Sequence, residues 1–412
     1  MLTHKESNPV KVLHIVGNSC FGGIAAIILG LGRVAKAEGW QVDVLATDPV
    51  VQQVVTQNGL GLVNLDCIRR EIRPLWDLAG VVRLRNFLRS QPYRIVHTHT
   101  SKAGFVGRLA ARLANVPVIV HTAHGFAFHE SSPSSTRLVY STLERFASRW
   151  CDRIVAVSDF HRRWALELRM CNSRDILAIP NGVADARRNP DVVPAELRSR
   201  LGARVGDLLI LTLSRLAPDK GIDHLIDAAA ILPLAEHRIR IVIAGDGPNR
   251  ARLEQRARSL GVTDRVTFLG YRQDVADLLA ACDLVVLPSL REGLSMSLLE
   301  AMAAGKPIIA TSIGSQIEVA SHGEMARLVP PADAPALAEA IVQFARDPAL
   351  MARLATSARI LYASHYTEAR MLEAYRQLYF ELLEAKCPYR RTDGNAERDL
   401  HFAGSQPKAG GI

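Results

Sequence analysis

The sequence predicts an α/β fold of two doubly wound parallel-sheet domains, and three observations predict it. Short apolar runs alternate with helical patterns from end to end, the arrangement of repeated strand–helix units. The runs fall into two sets on either side of a stretch at 181–201 that is rich in Pro, Asp and Arg and has no steady period. At 412 residues the chain is long for one core and comfortable for two.

Taken in chain order, the first set of strands is expected at 11–17, 41–47, 61–65, 94–97, 118–121, 153–157 and 176–179. The second is expected at 208–213, 239–244, 266–269, 284–287, 307–310 and 326–329, with the last helices running from about 335 to 385. The expected division is an N-terminal domain at 1–186, a C-terminal domain at 187–364, a helix at 365–385 and a disordered tail at 386–412. An echo links the halves. Cys151-Asp-Arg-Ile-Val-Ala-Val-Ser158 and Cys282-Asp-Leu-Val-Val-Leu-Pro-Ser289 share a Cys-Asp entry, an apolar strand and a Ser at its exit, which two similar halves would place at the same point in each.

Composition excludes several classes. A hydrophobic content of 48% and a mean hydropathy of +0.08 rule out a disordered chain. The longest apolar stretches, such as 24–31, fall short of the ~20 residues of a membrane span, and residues 1–8 lack the apolar segment of a signal peptide, so a cytoplasmic location is expected. Cys20, Cys67, Cys151, Cys171, Cys282 and Cys387 form no CxxC pair and are expected to be reduced packing residues. The net charge of +9 is one-sided. Residues 1–186 hold 22 Lys+Arg against 14 Asp+Glu, a balance of +8, while residues 187–412 hold 28 against 27. Such a half suits an anionic partner, the alternative being a solvated Arg-rich surface. Aromatics at 6% provide few stacking platforms, so an acidic membrane surface at the inner face of the cytoplasmic membrane is expected rather than nucleic acid. The segment from Arg69 to Arg89 sets arginines around a Trp76-bearing helix, a composition of interfacial helices and also of ordinary core-packing ones.

The most informative motif is Glu292-Gly-Leu-Ser-Met-Ser-Leu-Leu-Glu300, which follows an apolar strand and turns helical in its second half. Glu292 is expected in the strand-to-helix loop and Glu300 about two turns into the helix. In a parallel sheet that loop is where ligands bind, and free N–H groups of a helix N-terminus favour anions. Two acids beside them suit a ligand with both hydroxyls and phosphates, as a nucleotide sugar has. Arg215 and Lys220, at another strand end, are placed to reach a diphosphate. Gly22-Gly23 after the first strand would let backbone N–H groups approach a phosphate, and Gly245-Asp-Gly247 and Gly270-Tyr271 are loops at the same edge that suit a nucleoside or are tight turns. His97, His99, His121 and His124 sit at strand ends of the basic half, where they suit hydrogen bonding to a hydroxylated ligand or proton handling; a zinc site is conceivable but lacks acidic or cysteine ligands in a familiar spacing. The chain contains no Asp-x-Asp pair to clamp a metal–diphosphate.

In this order, Gly22-Gly23, His124-Gly125, Ser214-Arg215…Lys220-Gly221, Gly245-Asp-Gly247 and Glu292…Glu300 resemble the retaining glycosyltransferases of family 4, of GT-B fold, over about residues 12–379. The segments 97–111 and 121–126 look like the bacterial branch that builds cell-surface polysaccharides and lipid-linked oligosaccharides. The resemblance implies two Rossmann-like domains facing a cleft, with the donor held mainly by the second and the acceptor by the first. It implies Glu300 on ribose hydroxyls, Glu292 on the transferred sugar, and Arg215 and Lys220 on the leaving diphosphate with N–H groups near Ser295, Met296 and Ser297. Gly22 and Gly23 would approach the diphosphate, His124 the donor sugar and acceptor, and Gly247 and Tyr271 the base. It further implies retention without a metal or other cofactor, a nucleotide-sugar donor expected to be a UDP-sugar, a lipid-linked or glycan acceptor, and a final helix at 366–383 crossing back to the first domain. The loop after the first glutamate departs from the family's frequent Phe-Gly or Pro-Met, having Leu294-Ser295-Met296, so extra hydroxyls from Ser295 and Ser297 are expected to alter donor contacts. The rival enzyme is a sugar-nucleotide epimerase of the same architecture, and a third alternative is a nucleotide-sugar-binding partner without catalysis, against which Arg215 and Lys220 argue.

Overall fold

The computed structural model describes residues 9–17, 22–69, 71, 73–130, 132–185, 194–233, 239–322 and 324–387. Its first part runs β1 Lys11–Gly17, α1 Gly23–Ala37, β2 Gln41–Ala46, α2 Pro49–Gln57, β3 Gly61–Val63, α3 Pro74–Arg89, β4 Tyr93–His99, α4 Ser101–Leu113, β5 Val118–Ala123, α5 Ser134–Ser148, β6 Arg153–Ala156, α6 Asp159–Glu167 and β7 Ile176–Ala178. The second runs α7 Pro194–Arg200, β8 Leu208–Leu213, α8 Ile222–Ile231, β9 Ile239–Ala244, α9 Arg250–Ser259, β10 Val266–Gly270, α10 Val275–Ala281, β11 Leu284–Leu287, α11 Met296–Ala303, β12 Ile308–Thr311, α12 Gly314–Ser321, β13 Arg327–Val329, α13 Ala334–Arg346, α14 Pro348–His365 and α15 Glu368–Lys386. Every expected strand forms, with ends displaced by at most two residues.

The first sheet has the order β3-β2-β1-β4-β5-β6-β7 and the second β10-β9-β8-β11-β12-β13, with all pairings parallel. Both are doubly wound, and strand order reverses at β1/β4 and at β8/β11. Ligands of such sheets bind at the carboxyl ends of the strands flanking that reversal. The echo between Cys151 and Cys282 does not mark equivalent positions. β6 lies two strands beyond β4, whereas β11 is itself the counterpart of β4. What the segments share is local: Asp152 Oδ2 accepts from the Ile119 N–H at 2.8 Å and Asp283 Oδ2 from the Leu209 N–H at 2.7 Å, each satisfying the backbone of a neighbouring strand.

The stretch at 181–201, expected to be linker, contains α7, which packs on α10 while Arg198 forks onto Asp283 at 2.8 and 2.9 Å. A seven-residue polar helix is too short for its periodicity to stand out. Residues 186–193 lie outside the described residues, as do 18–21 and, beyond Cys387, the expected tail.

α15 belongs to the first domain's core. Met371, Leu372, Tyr375, Leu378, Tyr379, Leu382 and Leu383 are buried against β1, β2, β4 and β5 together with Ile27, Ile28 and Leu31 of α1. Thr367 Oγ1 accepts from the Arg370 N–H and starts the helix, and Arg33–Glu368 and Arg376–Glu38, both at 2.6 Å, flank it. Each buried aliphatic side chain is worth about 1.5–3 kcal/mol, against at most about 1 kcal/mol for an exposed ion pair, so apolar packing holds the helix there.

Candidate functional site

The expected residues gather where the carboxyl edges of the two sheets face each other. Pro218–Lys220 form one 3₁₀ turn, closed by Gly221 at φ +63°, where a Cβ would stand 2.1 Å from the Pro288 carbonyl oxygen. Only glycine lets this turn lie on the end of β11. The contact brings Lys220 Nζ to 2.6 Å from Glu292 Oε1, which also accepts from Ser289 Oγ at 2.8 Å. Both side chains are mostly shielded, at 18% and 12% exposure. Arg215 is half exposed and lies 3.6 Å from Asp219, so the two cations are offered differently: Lys220 fixed, Arg215 on a looser tether.

Glu292 lies in the loop before α11, as expected, but Glu300 stands one turn into that helix rather than two, because α11 starts only at Met296. Burial pushes the Glu300 carboxyl up to about 7. Ser295 is the helix N-cap: its Oγ accepts from the Leu298 N–H at 3.3 Å and its carbonyl from the Leu299 N–H at 3.2 Å. The Met296 and Ser297 N–H groups have no acceptor within the helix. Ser295 Oγ caps the helix, and the Leu294 side chain is buried in the second domain's core while its carbonyl accepts from Asn181 Nδ2 at 3.0 Å. Ser297 is half-buried at the helix start.

The first domain closes on this loop through glycines. A Cβ on Gly23 would lie 2.6 Å from Met296 Cγ, and one on Gly293 2.0 Å from the His124 carbonyl oxygen. Gly22, in extended backbone at φ 171°, is the N-cap of α1. On the far flank, Glu318 of α12 caps α6 across the domains, its Oε1 accepting from the Asp159 N–H at 2.9 Å and its Oε2 from the Phe160 N–H. Gly247 packs on the Leu216 carbonyl, and the ring of Tyr271, after β10, is 55% exposed.

The four expected histidines do not form one cluster. The two-residue pleat period sends His97 and His99 to the face covered by α15, and His121 to the opposite face, where Thr98 Oγ1 lies 2.9 Å from its Nδ1. The group instead includes His14 of β1, and nitrogens of His14, His97 and His99 lie within 4.8 Å of one another. His14 was missed, although a histidine within the apolar run 12–16 is itself a signal, since buried polar groups need partners. Ser289, Asn181 and Glu318 carry no such signal.

Two family models match the chain, "Glycosyl transferase 4-like domain" over residues 22–182 and "Glycosyl transferases group 1" over residues 194–360. EpsD of Bacillus subtilis (strain 168), named as a glycosyltransferase, is 32% identical over 351 residues, covering 84% of this chain and 90% of its own. An Escherichia coli enzyme named UDP-Gal:alpha-D-GlcNAc-diphosphoundecaprenol alpha-1,3-galactosyltransferase is 29% identical over 316 residues, covering 76% and 81%. Among solved structures, Anabaena HepE in complex with UDP and glucose superposes with a TM-score of 0.78 at 23% identity, covering 90% of this chain and 99% of that one. The chain therefore belongs to the GT-B glycosyltransferases that join a 4-like domain to a group 1 domain. No helix among the described residues is long and apolar enough to cross a membrane.

Proposed function

We propose that the protein is a retaining, metal-independent glycosyltransferase that moves a hexosyl or N-acetylhexosaminyl group from a UDP-sugar to a lipid-linked or polysaccharide acceptor in cell-envelope glycan synthesis. The observation that carries the reading is the Lys220–Glu292 pair at 2.6 Å beside the open N-terminus of α11. As the bond between the anomeric carbon and the diphosphate oxygen breaks, negative charge grows on the diphosphate. Lys220, Arg215 and the Met296 and Ser297 N–H groups meet that charge without a metal ion. Glu292, already held by Lys220 and Ser289, is a poor nucleophile and a good acceptor for sugar hydroxyls. The acceptor hydroxyl then attacks from the face the diphosphate leaves, and the departing phosphate takes its proton. Glu300 binds the ribose, Gly247 and Tyr271 flank the base, and Gly22, Gly23 and His124 close the cleft from the acceptor side. The named substrates of the E. coli relative support a UDP-sugar and a polyprenyl-diphosphate-linked acceptor.

The test is transfer across UDP-, GDP- and ADP-sugars, with and without a polyprenyl-diphosphate-sugar acceptor, in EDTA. Transfer from a UDP-sugar in EDTA with the α-configuration kept is expected; activity only on added Mg²⁺ or Mn²⁺, or inversion, overturns the mechanism.

We also assign the acceptor side an anionic membrane surface at the inner face of the cytoplasmic membrane. Leu75, Leu78 and Val82 of α3 are 86%, 61% and 47% exposed, and Leu138, Val139 and Phe146 of α5 are 68%, 56% and 50% exposed. Both helices pack on α4 and carry arginines, among them Arg83, Arg85, Arg89, Arg137 and Arg145. Sedimentation with vesicles containing about one-third anionic lipid should capture the protein and release it at roughly 0.5 M salt, where the Debye length is short. Equal binding to neutral vesicles counts against this assignment.

A further inference from the structure

A line of histidines leads from the interior of the first sheet to the cleft. His14 and His99 are fully buried, His14 on β1 and His99 at the end of β4. His14 Nδ1 lies 3.1 Å from His99 Nε2, and His99 Nδ1 lies 3.0 Å from His124 Nε2. His97 packs beside them, but its nitrogens engage Tyr379 OH at 2.6 Å and Thr122 Oγ1 at 2.8 Å, leaving it outside the line. Among the described residues, His14 Nε2 at the inner end is buried with no partner, and His124 Nδ1 at the outer end has none.

Burial holds all of these rings neutral near pH 7: His14 is lowered to about 3, His124 to about 4, and His97 and His99 well below their usual value. A neutral imidazole donates from one nitrogen and accepts at the other, so a line of three has two possible senses. In one, each ring carries its proton on Nδ1: His14 donates to His99, His99 donates to His124, and His124 is left with an Nδ1–H. In the other, each carries it on Nε2, and His14 Nε2–H is stranded in the interior without an acceptor among the described residues. An orphaned buried donor is rarer than an orphaned lone pair and disfavours its state by roughly tenfold or more. The unpartnered His14 Nε2 therefore selects the first sense.

We infer that His14 and His99 are positioning residues that fix His124 in the Nδ1–H tautomer, so that it presents a hydrogen-bond donor, and never a base, to the ligand in the cleft. The inference rests on the reading above that His124 borders the donor and acceptor. It adds a reason why the departing phosphate must take the acceptor's proton: His124's only basic nitrogen already accepts from His99.

The experiment uses full-length protein with ¹⁵N-labelled histidine, free of ligand, and long-range ¹H–¹⁵N spectra in which His124→Gln assigns the His124 signals. Wild type is expected to show Nδ1–H at His124. His14→Leu removes the inner donor, releases His99 to reverse, and should populate Nε2–H at His124 with kcat/KM for transfer lowered about tenfold, the size of the tautomer bias. His14→Asn, whose amide N–H occupies the place of Nδ1–H, should restore both. Wild-type His124 protonated on Nε2, a His124 tautomer unchanged in His14→Leu, or one equivalent of zinc in protein purified without chelator would each overturn the inference. The wild-type spectrum decides even if His14→Leu does not fold. Because it needs no substrate, it stands or falls separately from the transfer assay.

Discussion

Lys220→Ala is expected to lower kcat/KM for sugar transfer by about 10²–10³-fold, the usual effect of removing one donor from a charge-stabilising site. Two losses combine. The diphosphate loses a fixed cation, and Glu292, 12% exposed, keeps only Ser289 among the described residues as a side-chain donor within hydrogen-bond distance. A mostly shielded carboxylate stripped of its partner destabilises the fold by about 1–3 kcal/mol, so a small drop in Tm should accompany the kinetic loss. Glu292→Ala should be comparably impaired, and the double variant little worse than either single one, because the residues act as a unit. Steady-state kinetics with melting curves measure both effects; turnover within tenfold of wild type in Lys220→Ala would sink the site assignment. Arg215→Ala, on its looser tether to Asp219, should lose less.

Glu300→Gln is expected to weaken donor binding and stabilise the protein at once. Burial raises this carboxyl from 4.5 to about 7, so the native protein keeps a proton that the unfolded chain has released. Wild-type stability therefore falls as pH rises from about 4.5 to about 7 and is level above that. Gln has no such penalty, so the variant should gain about 1–3 kcal/mol above pH 7 and nothing below pH ~4.5, as melting curves across pH would show. Donor affinity follows the opposite logic. Only the ionised carboxylate accepts two hydroxyls, so the wild-type donor KM should rise about tenfold between pH 8 and pH 6, and the KM of Glu300→Gln should be high and flat. A wild-type KM independent of pH in that range would remove Glu300 from the ribose. Function here is placed where it costs stability.

What was legible in the sequence follows from the range of each interaction. Strands buried on both faces show as continuous apolar runs, and Arg215, Lys220, Glu292 and Glu300 stand out because their motifs are local. Pairings across long separations were not legible: Lys220 with Glu292 over 72 residues, His14 with His99 over 85, and Glu318 with α6 over about 158. The surroundings of Leu294 and Ser295 were not legible for a different reason. A loop motif does not show which of its side chains turn inward, and here the core takes Leu294 and the helix start takes Ser295.

The position of α15 bears on how the molecule is made. Tyr379 reaches His97 across 282 residues, so the first domain emerges early in synthesis but lacks one wall of its core until nearly the whole described chain exists. Until then the α15-facing side of β1, β4 and β5, with its buried histidines, lies open to water and to other chains. The nascent second domain must fold beside an unfinished neighbour, and α15 is the last of the described elements to arrive, as the closing stitch.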